Sequence, residues 1–241
     1  MQQSLDLSNA TGAGVRVALI DSGINAQHSH VGYLAGGVAF SVAADSKVQE
    51  HGDYTDRIGH GTALAGILRA KAPQVELYAV KIFTERLAAS ILILEAALRW
   101  AVQQRMHIIN LSLGTANADH RARLSDIVTQ AHAAGALLVA SSPPGRLDVL
   151  PAALPGVIGV AGDDQCGWHE HGYVADDPIP FRAHPCPRPL PGPAQARNFR
   201  GHSFASAHLS AWLALLVEQR PNCTVREAQE YLQQTSKRDA S

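Results

Sequence analysis

Apolar residues in this chain come in short blocks, and the spacing within the blocks alternates between two kinds. Val15 to Ile20 is an aliphatic, β-branched run that stops at Asp21-Ser22-Gly23, the pattern of a buried strand entering a turn. Gly36 to Phe40 reads as another short strand, and Ser41 to Arg57 as a polar surface loop. After Gly59-His60-Gly61-Thr62, Leu64, Ile67 and Leu68 recur at helical spacing, which places His60 at a helix N-terminus. Val75 to Phe83 predicts a strand, and Leu87, Ile91, Leu94, Leu98 and Ala101 predict one face of a helix ending near Arg105. A strand from His107 to Leu113 follows, then a helix around Leu124, Ile127, Val128 and Ala131 that ends near Gly135, then a strand from Ala136 to Ala140. Strands alternating with helices in this way predict a mostly parallel sheet between helices, with right-handed crossovers that bring the strand ends to one edge. Asp21, Gly114 and Ser141 would share that edge.

The pattern then changes. Val157 to Ala161 is one more apolar run, but Gly162 to Arg200 is dense in proline and histidine, lacks periodicity and reads as an extended surface excursion. Phe204 to Val217 is almost wholly small or apolar, a buried helix opening at Ser203. Past Pro221, Thr224-Val225-Arg226-Glu227 has capping-box spacing for a last helix to about Gln234. With 241 residues and 46% hydrophobic content, the chain is expected to form one domain over 1–241 with its core at about 15–234.

Composition mostly excludes. Twenty Lys and Arg stand against 21 Asp and Glu with no block of one sign, so neither nucleic acid nor an anionic membrane is an expected partner. Met1 to Asp6 has no basic or apolar signal-like region, and no 18-residue apolar run occurs, which makes a cytoplasmic protein the expectation. Cys166, Cys186 and Cys223 are odd in number and lack CxxC spacing, so they read as free thiols. Cys166, His169, His171, His184 and Cys186 fit no zinc pattern, and neither a metal nor another cofactor is expected.

The candidate chemistry lies at three element boundaries. Ser203 would sit where a helix N-terminus favours developing negative charge, although a serine there equally serves as an N-cap. His60 between glycines can be a loop residue, and Asp21 a turn residue. Taken together, an aspartate, a histidine and a serine are the parts of nucleophilic catalysis: imidazole takes the hydroxyl proton and a buried carboxylate fixes the imidazole. The chain order Asp21, His60, Ser203 is one of the few orders such triads use.

Four stretches resemble the subtilisin-like serine peptidases, the subtilases, over about Val15 to Gln234. Ala18 to Ile24 resembles the aspartate motif, Gly59 to Gly66 the histidine motif, Gly201 to His208 the serine motif, and Ile108 to Gly114 the substrate-binding strand. The resemblance implies a three-layer subtilisin-like fold and a serine endopeptidase acting on a peptide or protein bound in extended form. Ser203 would be nucleophile, His60 general base, Asp21 its orienter, and Ser112, Leu113 and Gly114 the peptide-pairing edge. It also shows departures. His202 and Ala207 replace the usual threonine and proline of the serine motif, and Pro143 stands where the family carries its oxyanion asparagine. Ser142, Ser141 or His202 is therefore expected to supply the missing donor, Ser142 first because it directly precedes the proline. Leu68 to Pro73 runs straight through where many members insert a calcium loop. Two further readings stay open: a processing peptidase acting on one precursor, such as a leader peptide, and a peptide-binding pseudo-protease with little turnover.

Overall fold

The computed structural model describes residues 5–43 and 45–237, so the first four residues read above for a signal and the end of the polar tail lie outside it. Five strands of the expected alternation are present: β1 (Arg16–Asp21), β4 (Glu76–Lys81), β5 (Ile108–Leu111), β6 (Leu137–Ser141) and β7 (Val157–Gly162). They pair in parallel as β4-β1-β5-β6-β7. β2 (Gly36–Val42) joins β4 in parallel as well, and with β3 (Val48–His51), β8 (His171–Tyr173) and β9 (Phe181–Ala183) the sheet has, among the described residues, nine strands in the order β3-β2-β4-β1-β5-β6-β7-β9-β8.

Alternation along each strand feeds two cores. Val17 and Leu19 of β1 pack toward α1 (His60–Lys71), α4 (His202–Gln219) and α5 (Val225–Thr235), whereas Ala18 and Ile20 pack toward α2 (Ile91–Gln103) and α3 (Arg121–Ala133). A strand buried on both faces cannot show polar alternation, which is why these segments read as continuous apolar runs. This is the expected three-layer α/β arrangement. No helix of the described residues is long and apolar enough to cross a membrane.

The expectations fail where the pattern is weakest. Within the segment read as a loop, β3 (Val48–His51) forms an antiparallel hairpin with β2, an exposed edge strand with no apolar face to betray it. The proline- and histidine-rich segment is not wholly a surface excursion: β9 (Phe181–Ala183) is buried, extends the sheet in parallel from β7 and carries β8 (His171–Tyr173) antiparallel at the edge. Three-residue strands are too short to show a period. α2 begins at Ile91 rather than near Leu87, because the Ser90 hydroxyl accepts the Ile93 N–H at 3.4 Å and caps it there. The last helix keeps its predicted start, with Thr224 and Glu227 forming both bonds of a capping box.

Candidate active site

Asp21 ends β1 at the carboxyl edge of the parallel strands and is fully buried. Its Oδ1 accepts three bonds, from the Ser22 N–H (2.7 Å), the Ser22 hydroxyl (3.1 Å) and Nδ1 of His60 (2.8 Å). Its Oδ2 has no partner among the described residues. A carboxylate taken out of water needs such compensation, and here the imidazole, itself only 6% exposed, is part of it. The glycines around His60 make this approach possible. Gly59 adopts φ +91°, a conformation that L side chains rarely take, and a Cβ on Gly61 would lie 2.2 Å from the Gly23 carbonyl. With no Cβ there, the Gly61 N–H reaches the Ser22 hydroxyl at 2.9 Å and the first turn of α1 seats against the β1 turn.

Asp56 steadies the same turn. Its carboxylate accepts the amides of Ile58, Gly59 and Thr62 at 2.9 Å each and the Thr62 hydroxyl at 2.6 Å. Burial disfavours that charge, but the Thr62 hydroxyl and the amides outweigh it and hold the carboxyl below its usual pKa.

Ser203 is the second residue of α4, whose N-cap is Gly201, so the cap role falls two residues before the serine. An N–H at that position has no partner within the helix. The Ser203 hydroxyl donates to the Ser112 carbonyl at 3.2 Å, and among the described residues no hydrogen bond joins it to His60. The two motifs meet through Phe204, whose ring centroid lies 5.2 Å from that of His60. A buried polar chain fixes the base of α4 to β5: Ser210 donates to Asn110, Asn110 to the Ser112 hydroxyl, and the Ser206 hydroxyl to the Ser203 carbonyl at 2.7 Å. The Ser112 hydroxyl, 2.9 Å from that of Ser206, is thus spent inside the molecule. Leu113 is half-buried and Gly114 exposed, just past the end of β5.

A cavity of about 320 Å³ opens beside Ser203, lined by Ser112 to Ala116, Ser141 to Pro143, Val149 and His202. It gathers the residues expected to bind substrate and all three expected oxyanion donors. They are not equally placed. Ser142 is buried, its N–H donating to Val160 and its hydroxyl to the Pro143 carbonyl at 3.0 Å. His202 is half-buried and its Nδ1 accepts the Gly162 N–H at 2.9 Å, which leaves the ring proton on Nε2. Burial, aided by Arg182, lowers the pKa of this imidazole and favours the neutral ring.

The described residues hold no cluster of three or more His, Cys, Asp or Glu able to ligate a metal. His184 instead bonds the Cys166 carbonyl, His171 the Leu232 carbonyl and His208 the Cys186 carbonyl, each at 2.9 Å. The three cysteines are free and buried. Sequence reasoning missed Ser22 and Phe199. Ser22 stood inside the aspartate motif, and its hydroxyl was the available signal. Phe199, whose ring meets His60 edge-on at 6.5 Å, lies in the aperiodic segment, where nothing marked it.

The comparisons with known proteins agree with this geometry. The sequence model of the subtilase family matches residues 12–164. A thermostable alkaline protease of Halalkalibacterium halodurans is 31% identical over 244 residues, covering 93% of this chain, which spans only 63% of that protease's length. Subtilisin Savinase of Lederbergia lenta is 30% identical, with 94% of this chain and 84% of the Savinase chain covered. Among solved structures, a cold-adapted subtilisin-like serine proteinase shares the fold at a TM-score of 0.70 and 18% identity, covering 92% of this chain and 82% of its own. A lanthipeptide protease does so at 0.65 and 19%, covering 90% and 78%. The three-layer fold, the strand-end aspartate bonded to a helix-start histidine, and a family match across more than half of the sequence lead to one conclusion: this chain belongs to the subtilase family.

Proposed function

We propose that the protein is a serine endopeptidase in which Asp21, His60 and Ser203 act together on an extended peptide. The observation that carries this reading is the buried 2.8 Å bond between His60 Nδ1 and Asp21 at the start of α1, set against the start of α4 where Ser203 stands. A substrate strand lies along the backbone of Leu113 and Gly114, and its side chain before the cut enters the cavity beside Ser203. The Ser203 hydroxyl turns from the Ser112 carbonyl toward His60, a rotation between staggered wells. Nε2 of His60 takes its proton as Oγ attacks the carbonyl carbon, while Asp21 steadies the imidazolium. Nε2 then returns that proton to the leaving amine, and the acyl ester is hydrolysed by the same steps in reverse.

The tetrahedral intermediate needs two donors for its oxyanion, and the Ser203 N–H is one. Pro143 has neither a side-chain donor nor an N–H. We assign the second role to the Nε2–H of His202. Of the three candidates it lines the cavity with its second nitrogen already satisfied as acceptor, whereas the Ser142 hydroxyl is engaged by its neighbour's carbonyl. A pseudo-protease is the competing reading, favoured by Pro143 and by the Ser203 hydroxyl pointing to Ser112. A narrower form of the first reading, cytoplasmic trimming of a leader from one precursor, draws on the fold shared with a lanthipeptide protease.

Intact-mass spectrometry after a serine-directed fluorophosphonate tests the activity. The protein should gain one adduct mapped to Ser203, absent in Ser203→Ala and His60→Ala. No adduct, or one on another serine, removes the catalytic reading.

A further inference from the structure

A second cavity, of about 560 Å³, adjoins the histidine motif at Gly59, Thr62 and Ala63 and is lined by neither His60 nor Ser203. Gly59 and Phe199 form its inner rim, and Phe199 is also the ring that meets His60 edge-on. Its floor is the outer face of α1 at Ala63, Gly66 and Ala70, with Trp168 and Leu190 opposite. Resting on the peptidase reading, position alone assigns this cavity a part of the substrate. The acyl part is held at Leu113 and Gly114 beside Ser203, and the base must hand its proton to the amine that departs. The departing segment therefore leaves past His60, over Phe199, into this cavity.

The charges around the rim say what that segment carries. Asp56 lines the cavity, but its two oxygens are filled by three amides and a hydroxyl. Arg57 is paired with Asp53 at 3.1 Å. Arg188 is exposed, has no carboxylate partner among the described residues, and contacts the ring of His30. Burial, Arg188 and His28 all lower the His30 pKa, which favours the neutral ring that can accept from the guanidinium. Arg188 is thus the cation of this rim left for a ligand, and its planar fork suits a carboxylate. We propose that the cavity binds the leaving side of the substrate and selects an aspartate or glutamate there, held by Arg188, beside an apolar residue resting on Phe199.

Acyl transfer tests this without knowledge of the natural cleavage sequence. An activated N-acyl amino acid ester acylates Ser203, and dipeptide amides then compete with water for the acyl group. In each aminolysis the ester bond to Ser203 breaks, an amide bond forms to the incoming amine, and the amine's proton passes through His60 back to the serine. The acceptor occupies the leaving side, so its partition against water reads the cavity. H-Ala-Glu-NH2 should capture the acyl group about 3- to 10-fold better than H-Ala-Gln-NH2, as an exposed charge pair allows, and H-Ala-Lys-NH2 should be poorest. Arg188→Glu should invert the order and Arg188→Gln flatten it, each read as a ratio within one variant, so that a change in total ester turnover does not enter. Equal capture of all three by the wild type, or the same preference in Arg188→Glu, overturns the proposal. If no ester acylates Ser203, the catalytic reading fails and the cavity is judged alone, by fluorescence anisotropy of fluorescein-labelled Ala-Glu-Ala-Glu and Ala-Lys-Ala-Lys peptides. Tighter binding of the acidic peptide that Arg188→Glu reverses keeps the site, and equal binding of both removes it.

Discussion

The two halves of the candidate site are built in different ways. The Asp21–His60 half is closed and internally bonded: a buried carboxylate, a 2.8 Å bond to the imidazole, and a glycine whose missing side chain lets the two elements touch. The Ser203 half is more open. Its hydroxyl rests on a backbone carbonyl 3.2 Å away, and the strand end that should complete the oxyanion site presents an exposed proline. A base must be held in one tautomer and one orientation, and burial achieves that cheaply. An oxyanion site must serve a charge that exists only in the transition state, so its donors have to be held ready by the fold while still facing open space. The departures at His202, Ala207 and Pro143 all fall in this more open half.

The largest effect should come from breaking the closed half. His60→Ala or Ser203→Ala should each lower acylation of an activated ester about 10⁴-fold or more, and the double variant should be no worse than either single one, because the groups act as a unit. Asp21→Asn should lose nearly as much while the protein stays folded, since an amide in that place holds the wrong tautomer. Additive losses in the double variant would show that the two halves do not work together.

The open half should respond in both directions. In subtilisin itself, losing one oxyanion donor lowers turnover about 10²- to 10³-fold, so His202→Ala should fall in that range if its Nε2–H is the second donor. His202→Gln should recover part of the rate, and Ser142→Ala should do little. Pro143→Asn should then raise the single-turnover rate only modestly, because a donor is already present. A hundredfold gain in Pro143→Asn from a barely detectable start, with His202→Ala silent, would instead favour the pseudo-protease.

What the sequence showed of all this follows the same division. Strands buried on both faces are apolar throughout, so β1, β4, β5, β6 and β7 could be read directly, and with them the edge that carries Asp21. The three motifs announced themselves because each sits at a junction where residue type is constrained by backbone geometry as well as by chemistry. β8 and β9 could not be found, since three residues carry no period, yet they extend the sheet. Phe199 and Arg188 were hidden for the same reason. Nor could order along the chain reveal that Ser142 spends its hydroxyl on Pro143, which depends on a side-chain rotation and not on sequence position.

The smallest effect concerns the helix that carries Ser203. His208 lies on α4, five residues past Ser203, with its Nε2–H donating to the Cys186 carbonyl and its ring 4.6 Å from that of Trp168. Burial, reinforced by Lys71, pushes its pKa down to about 2 from the ordinary 6.5. Between those values the folded state binds fewer protons than the unfolded state, so stability is fully present above about pH 6.5 and is lost as the pH falls. One such group can contribute up to about 1.4 kcal/mol per pH unit in that window. Urea unfolding at pH 6.5, 5.5 and 4.5 should therefore show the midpoint falling, and His208→Gln, which keeps a donor but cannot titrate, should flatten the fall while starting somewhat less stable. Hydrogen exchange should show the α4 amides losing protection before those of α1, since the uncompensated proton would enter on the open half's helix. If the acid slope is the same with and without His208, or if α1 loosens first, then the two halves do not differ in what burial demands of them, and the contrast between them is confined to the reacting atoms.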